Sequence, residues 1–107
     1  MTSPADFGPI GSKVLFENDR VRVWEVRLEP GERGDLHRHD LDHVLVHVSP
    51  GRIAVESAPG SPTPYGPYLE AEVAPGDVSY APRGGIETAI NVGTVPFHEI
   101  IVEIKDP

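Results

Sequence analysis

The stretch HRHDLDH (residues 37–43) holds three of the five histidines of this 107-residue chain, His37, His39 and His43. These histidines stand at even offsets, and alternate residues of an extended strand project from the same face. If the stretch is extended, the three imidazoles therefore share one face. A lone histidine is usually a surface or core side chain, but three within seven residues favour a metal site.

Turn-forming residues divide the rest of the chain into short segments. Twelve prolines and eleven glycines leave little room for long helices, and the segments between them are rich in β-branched residues. The pattern predicts strands at residues 20–29, 42–49, 52–56, 69–74, 77–80, 86–90 and 96–104, with a proline-rich surface loop at residues 58–68. The predicted fold class is therefore all-β, as a sandwich or a barrel.

Composition excludes several kinds of site. The chain has no cysteine, which rules out disulfides, thiolate metal ligands and cysteine nucleophiles. Its net charge of −8 repels phosphate groups, and its nine lysines and arginines are scattered, so we expect neither a nucleic-acid nor a membrane partner. No apolar stretch approaches the ~20 residues that span a bilayer, and no signal-like segment begins the chain, so the expected location is cytoplasmic.

The spacing of glycines around the histidine cluster carries a resemblance. Five residues separate Gly31 from His37, and seven residues separate His43 from Gly51. This arrangement resembles the first conserved motif of the cupin superfamily, in which a glutamate usually occupies the place of His43. The resemblance implies a cupin barrel, also called a double-stranded β-helix or jelly roll, at residues 13–107 after an N-terminal arm at residues 1–12.

A second segment, PGDVSYAPRGGIETAIN at residues 75–91, resembles the second cupin motif. A histidine usually stands there in the place of Glu87. The two departures exchange a histidine and a glutamate between the motifs, so three imidazoles and one carboxylate are kept. The resemblance implies one divalent transition metal (Fe, Mn, Ni or Zn) on a set of four ligands, His37, His39, His43 and Glu87. With a 2+ ion this set keeps a single net positive charge.

The flanking phrases, residues 17–31 and 91–105, are similar to a group of small single-domain cupins named for β-alanine degradation, a label that specifies no chemistry. The resemblance implies a homodimer and a small-molecule ligand or substrate. One hypothesis is a metal-dependent enzyme acting on a small polar organic metabolite, with oxygenase, isomerase and lyase chemistry all open. The alternative is a non-catalytic module that holds a metal or a small ligand.

Strand parity nominates further residues that can contact a ligand. His47 shares the face of His43 and is expected inside the barrel, although a hydrogen-bonded core histidine is an equally good interpretation. Tyr80 can offer its phenol to the cavity, although packing is the commoner role. His98 has the parity of the apolar residues 100, 102 and 104, which favours an inward position.

Arginines near loop ends can bind the carboxylate of a substrate. Arg83 lies in the second motif, and Arg33 and Arg38 lie in the first. An arginine binds a carboxylate through two parallel hydrogen bonds, but isolated surface charges are more often solvated. Both interpretations stay open from the sequence.

Overall fold

The computed structural model describes residues 7–62 and 66–107, which form nine strands and no helix able to span a membrane. The all-β prediction is confirmed. The strands are β1 (Lys13–Glu17), β2 (Val21–Leu28), β3 (His37–Arg38), β4 (Asp42–His47), β5 (Gly51–Ser57), β6 (Tyr68–Val73), β7 (Val78–Ala81), β8 (Ile86–Asn91) and β9 (Phe97–Ile104).

The strands form two sheets in which every pair is antiparallel. One sheet has the order β1-β2-β9-β4-β7 and the other the order β3-β8-β5-β6. Strands distant in sequence are therefore neighbours, with β9 between β2 and β4. Gly31 and Gly76, which begin the two motif segments, have φ angles of 84° and 86°, a left-handed conformation that favours glycine.

The core lies between the two sheets and is built by alternation. Along β9 the residues at positions 97, 99, 101 and 103 are buried, and those between them are more exposed. Both sheets contribute to the apolar cluster, which consists of Val26, Leu28, Ile53, Phe97 and Ile101. Burying one such side chain stabilises the fold by roughly 1.5–3 kcal/mol.

Residues 37–43 do not form the single extended strand that the sequence predicts. His37–Arg38 belongs to the four-stranded sheet, whereas Asp42 begins a strand of the five-stranded sheet. The backbone of His39 still pairs with residues 84 and 85, and the chain then crosses between the sheets. Strand parity therefore cannot bring the three histidines together. They can converge only because the two sheets face each other.

The predicted N-terminal arm is described from residue 7 onward, and residues 1–6 lie outside the described part. Residues 7–12 pack on the barrel, because the N–H of Gly8 donates to the carbonyl of Leu36 at 2.8 Å and Ile10 packs against the apolar core. The described part of the arm is thus continuous with the domain. Of the predicted loop at residues 58–68, positions 63–65 are not described, and β6 begins at its last residue.

Candidate metal centre

The short pairing of β3 with β8 brings the two motif segments together. His37 lies directly opposite Glu87, and Arg38 lies opposite Ile86. Opposite residues of an antiparallel pair project from the same face, with Cβ atoms ~4.5–5.5 Å apart. His37 and Glu87 are therefore neighbours although 50 positions separate them in the chain.

His39 extends this pairing beyond the end of β3. Its backbone N–H donates to the carbonyl of Gly85 at 2.9 Å, and its carbonyl accepts from the N–H of Gly84 at 2.8 Å. Because His39 lies two residues beyond His37, its side chain projects from the same face as those of His37 and Glu87. The register of two strands thus sets the positions of two imidazoles and one carboxylate.

The donor atoms of these three side chains converge. The Nε2 atoms of His37 and His39 are 3.1 Å apart, and Nε2 of His39 is 3.7 Å from Oε1 of Glu87. One donor atom from each residue lies within 4.8 Å of both others. Metal–nitrogen bonds of ~2.1 Å place neighbouring donors of one ion about 3 Å apart, so this spacing suits a shared cation.

Gly85 leaves the space that this convergence needs. A Cβ atom at this position would lie 2.8 Å from Oε1 of Glu87 and 3.9 Å from Cδ2 of His39. The first distance is shorter than a van der Waals contact, so any larger residue would displace the carboxylate. The glycine opposite His39 is therefore part of the candidate site.

His43 reaches the same place from the other sheet. Its ring is stacked on that of His39, with centroids 3.9 Å apart and planes inclined by 15°. The ring of His37 meets His39 edge-on at 4.8 Å. The structure thus brings all three imidazoles together, with His43 beside the tight set of His37, His39 and Glu87 rather than within it.

Backbone carbonyls orient two of the imidazoles. Nδ1 of His37 lies 2.9 Å from the carbonyl of Asp35, and Nδ1 of His43 lies 3.0 Å from the carbonyl of Leu41. These contacts assign the ring proton to Nδ1, which donates to the carbonyl and leaves the lone pair on Nε2. Metal-binding histidines are commonly oriented in this way.

The protonation of the histidines also fits a cation. Burial, together with the neighbouring imidazoles of His43 and His37, lowers the pKa of His39 to about 2. Burial likewise lowers the pKa of His37, against the opposing effect of the Asp35 carbonyl. Imidazoles bind metals in the neutral form, so near neutral pH these side chains are ready to coordinate. Neutral nitrogens beside a carboxylate form a donor set that fits a divalent transition metal.

The candidate donors lie on the wall of a cavity of about 430 Å³. Most of its other walls are apolar, from both sheets and from Ile10 of the arm, and they include Val26, Leu45, Ile53, Val55, Leu69, Val73, Ala89, Phe97 and Ile101. No lysine or arginine of the described residues lines it. The cavity suits a small molecule with a largely apolar body.

His47 and Glu99 form a second polar pair in this cavity. They are opposite residues of β4 and β9, with Nδ1 of His47 3.5 Å from Oε2 of Glu99. Burial, together with the charge of Glu87, raises the pKa of Glu99 to about 8. Burial lowers the pKa of His47.

Sequence reasoning did not single out Glu99. Glu99 has the same strand parity as the buried residues Phe97 and Ile101, and this parity was the signal for an inward position. Because β9 carries apolar residues on both faces, the sequence did not show which face is buried. The expectation of an inward His98 chose the other face and is wrong. His98 is absent from the cavity wall, and its Nε2 lies 3.4 Å from Oε2 of Glu25.

Tyr80 and Arg83 lie at the edge of the site and face other partners. Tyr80 borders the cavity, but it is 61% exposed and its phenol donates to the carboxylate of Asp42. The guanidinium of Arg83 contacts Asp42 at 3.3 Å and binds both carboxylate oxygens of Asp106. Neither side chain presents its polar end to the cavity. At the surface, Arg33 pairs with Glu56 and Arg38 with Asp40.

Comparisons with known proteins agree with this architecture. No protein-family model and no curated protein matches the sequence. Among solved structures, a cupin domain from Bordetella pertussis Tohama I is 28% identical, with a TM-score of 0.76 over 88% of this chain and 91% of that one. The chain has the cupin fold. The predicted cupin barrel is therefore confirmed.

Two further neighbours have the same fold. A protein with a double-stranded β-helix domain from Klebsiella pneumoniae is 20% identical, with a TM-score of 0.64 over 97% of this chain and 88% of that one. A sugar phosphate isomerase of the cupin superfamily from Silicibacter pomeroyi is 25% identical, with a TM-score of 0.54 over 82% of this chain and 52% of that one. The link to β-alanine degradation and the four-ligand set stay predictions.

Proposed function

We propose that this cupin binds one divalent transition metal through His37, His39, His43 and Glu87 and uses it as an enzyme on a small organic metabolite. The observation that supports this proposal is the convergence of His37, His39 and Glu87 on the wall of a cavity of about 430 Å³. Iron, manganese, nickel and zinc all accept such donors.

The residues around the metal have distinct roles in this proposal. The carbonyls of Asp35 and Leu41 hold His37 and His43 with Nε2 available, and Glu87 supplies the anionic ligand. The apolar walls exclude water, which strengthens electrostatic interactions in the cavity. The bound metal supplies Lewis-acid or oxygen-activating chemistry. Oxygenase, isomerase and lyase reactions are all compatible with these roles.

The cavity walls narrow the choice of substrate. A phosphate or a polycarboxylate needs basic side chains, and no described lysine or arginine lines the cavity. We therefore propose a less anionic substrate than the sugar phosphate named for the Silicibacter protein. This is also a narrower class than the small polar organic metabolites that the sequence left open.

The test of the metal site is the metal content of purified variants. His39→Ala and Glu87→Ala each remove a donor and are expected to release the metal. His98→Ala is the matched control, because His98 lies outside the cavity on the same domain, and it is expected to keep full occupancy. Full occupancy in either ligand variant, measured by elemental analysis, contradicts the proposal.

A second candidate function is a binding module that holds the metal or a small ligand without turnover. The two functions differ in whether coordination positions remain open to water, which an enzyme requires for its substrate. Water-proton relaxation of the manganese-loaded protein counts exchangeable water molecules on the ion. An enzyme is expected to show at least one, and a closed site favours the binding module. An oxygen-uptake screen with candidate metabolites then tests oxygenase chemistry.

We also propose that the cupin forms a homodimer through the outer face of its five-stranded sheet. An apolar row crosses all five strands of this face, formed by Phe16, Val23, Val102, Val44 and Tyr80. Its two end residues are 54% and 61% exposed. Exposed apolar patches of this kind are typical of protein interfaces. A cytoplasmic location and the lack of nucleic-acid and membrane partners are kept as predictions.

Sedimentation velocity tests the dimer. Val78, beside this row on β7, is 63% exposed, and Val78→Glu is expected to give monomers because it places a charge in the interface. Val92→Glu places the same charge outside the five-stranded sheet and is expected to leave the dimer intact. A monomeric wild type, or a dimeric Val78→Glu, contradicts this proposal.

A further inference from the structure

The pair formed by His47 and Glu99 lies further along the five-stranded sheet than the candidate ligand His43. His47 follows His43 by four residues on β4, which corresponds to about 13 Å of extended backbone. Both strands of the pair belong to the five-stranded sheet, and both side chains line the cavity. The cavity therefore has two polar regions with apolar walls between and around them.

One polar atom of this pair lacks the partner that buried groups normally have. Nδ1 of His47 is buried without a hydrogen-bond partner among the described residues, and its 3.5 Å contact with Glu99 is not a hydrogen bond. Each residue is only 9% exposed. Burying polar groups without partners is costly unless a ligand supplies them.

The neighbouring Glu103 shows what a purely structural carboxylate looks like here. It projects from the same face of β9 and is 2% exposed. The indole N–H of Trp24 donates to its Oε1 at 2.6 Å, and Arg22 lies 3.6 Å from the same oxygen. Glu103 is satisfied inside the protein and does not line the cavity, whereas Glu99 lines it.

We propose that His47 and Glu99 bind the amine end of a small ligand whose apolar body fills the cavity. A protonated amine has three N–H donors and a positive charge, and the pair offers a carboxylate and a ring nitrogen as acceptors. An anionic group finds no lysine or arginine among the described residues of these walls. The inference rests on the proposed function only for the other end of the ligand, which would reach the metal.

Calorimetric titration with three probes of equal chain length tests this inference. Hexylamine, hexanol and hexanoate each have six carbons in a straight chain and differ in the end group. Each is titrated at about pH 9, above the pKa of about 8 of Glu99 and below the ~10.4 typical of an alkyl amine, so that the carboxylate and the ammonium are both charged. The titrations use the full-length protein, both as purified and after removal of metal with a chelator. Hexylamine is expected to bind most tightly in both forms, because its recognition does not require the metal.

Two glutamate variants locate the binding. Glu99→Gln keeps the shape and removes the charge, and it is expected to weaken hexylamine binding by at least about tenfold, as for a lost charge-assisted hydrogen bond. Glu103→Gln is the matched control from the same face of the same strand, and it is expected to keep the wild-type affinity. If Glu99→Gln does not fold, His47→Leu gives the same comparison.

Several results would overturn the inference. These are equal or tighter binding of hexanol or hexanoate, no hexylamine binding at millimolar concentration, or an equal loss in Glu99→Gln and Glu103→Gln. The metal proposal fails separately. A protein that binds hexylamine but holds no metal keeps this inference and rejects the metal centre, and the reverse result rejects this inference alone.

Discussion

Two regions of one cavity are built from the same residue types and differ in what surrounds them. At the candidate metal centre, His37 and Glu87 lie opposite each other, and a backbone carbonyl occupies Nδ1 of His37. In the second region, His47 and Glu99 also lie opposite each other, but Nδ1 of His47 has no described partner. An imidazole beside a carboxylate thus does not by itself define a metal ligand.

What distinguishes the two regions is convergence. The metal centre adds His39, whose Nε2 lies 3.1 Å from Nε2 of His37, whereas the second region offers one imidazole and one carboxylate 3.5 Å apart. One cation needs several donors at close range, but a ligand amine needs only acceptors. The comparison favours a metal for the first region and an organic ligand for the second, as proposed above.

The largest expected difference between the two regions is in metal content. His37→Ala is expected to lower metal affinity by more than the ~10–100-fold that is typical for losing a hydrogen-bonding partner of a ligand, because it removes a ligand itself. His47→Ala is expected to leave metal content unchanged. Elemental analysis of both variants decides, and equal retention would erase the distinction between the regions.

Gly85→Ala tests the packing that lets the metal donors converge. The added Cβ would lie 2.8 Å from Oε1 of Glu87, so we expect metal affinity to fall by ~10–100-fold, as for other disturbed ligand orientations. Gly34→Ala is the control, because its Cβ would have no contact closer than 3.7 Å. Competition with a chelating dye measures both affinities. An unchanged affinity in Gly85→Ala would show that Glu87 does not need this space.

The pH dependence of metal binding separates buried ligands from exposed ones. From the sequence alone, affinity should fall as histidines protonate near pH ~6.5. Burial lowers the pKa of both His37 and His39, so the loss is expected to begin at a lower pH. A titration of metal occupancy against pH checks this, and a midpoint at or above ~6.5 would mean that the ligands are solvated.

The smallest expected effect is on stability, through Glu99. Because burial raises its pKa from 4.5 to about 8, the folded state holds a proton in this pH range that the unfolded state releases. Stability from this group is therefore present at low pH and is lost as pH rises through about 8. Glu99→Gln removes this loss and should gain stability relative to wild type as pH rises.

Urea denaturation of the metal-free proteins at about pH 5 and about pH 8.5 measures this difference. We expect the free energy of unfolding of Glu99→Gln, relative to wild type, to be higher at the upper pH. A difference that is independent of pH would show that Glu99 titrates as an exposed carboxyl group.

Much of the candidate site could be predicted from the sequence, because its residues stand at characteristic spacings within two short segments. The three histidines within residues 37–43 and Glu87 in the second motif were nominated without coordinates, and the structure places all four near one another. His47 followed from its parity with His43 on β4. These nominations used short-range patterns, which strand geometry translates directly into position.

The wrong predictions concern features that depend on contacts between distant parts of the chain. Residues 37–43 were expected to form one strand, but the chain changes sheets between His39 and His43, and a sequence pattern does not report which sheet a residue joins. His98 was placed inside and Glu99 was overlooked because apolar residues occupy both faces of β9. Because the outward face of that strand is also apolar, hydrophobicity alone predicted the wrong buried face.

The sequence by itself determined an all-β cupin barrel and a set of metal-donor candidates, because turn residues and motif spacings act locally. Only the tertiary structure decided that His37 lies opposite Glu87, that His43 stacks on His39 from the other sheet, and that Glu99 faces the cavity. Strand register and the facing of two sheets depend on contacts between distant segments. No local pattern in the chain specifies them.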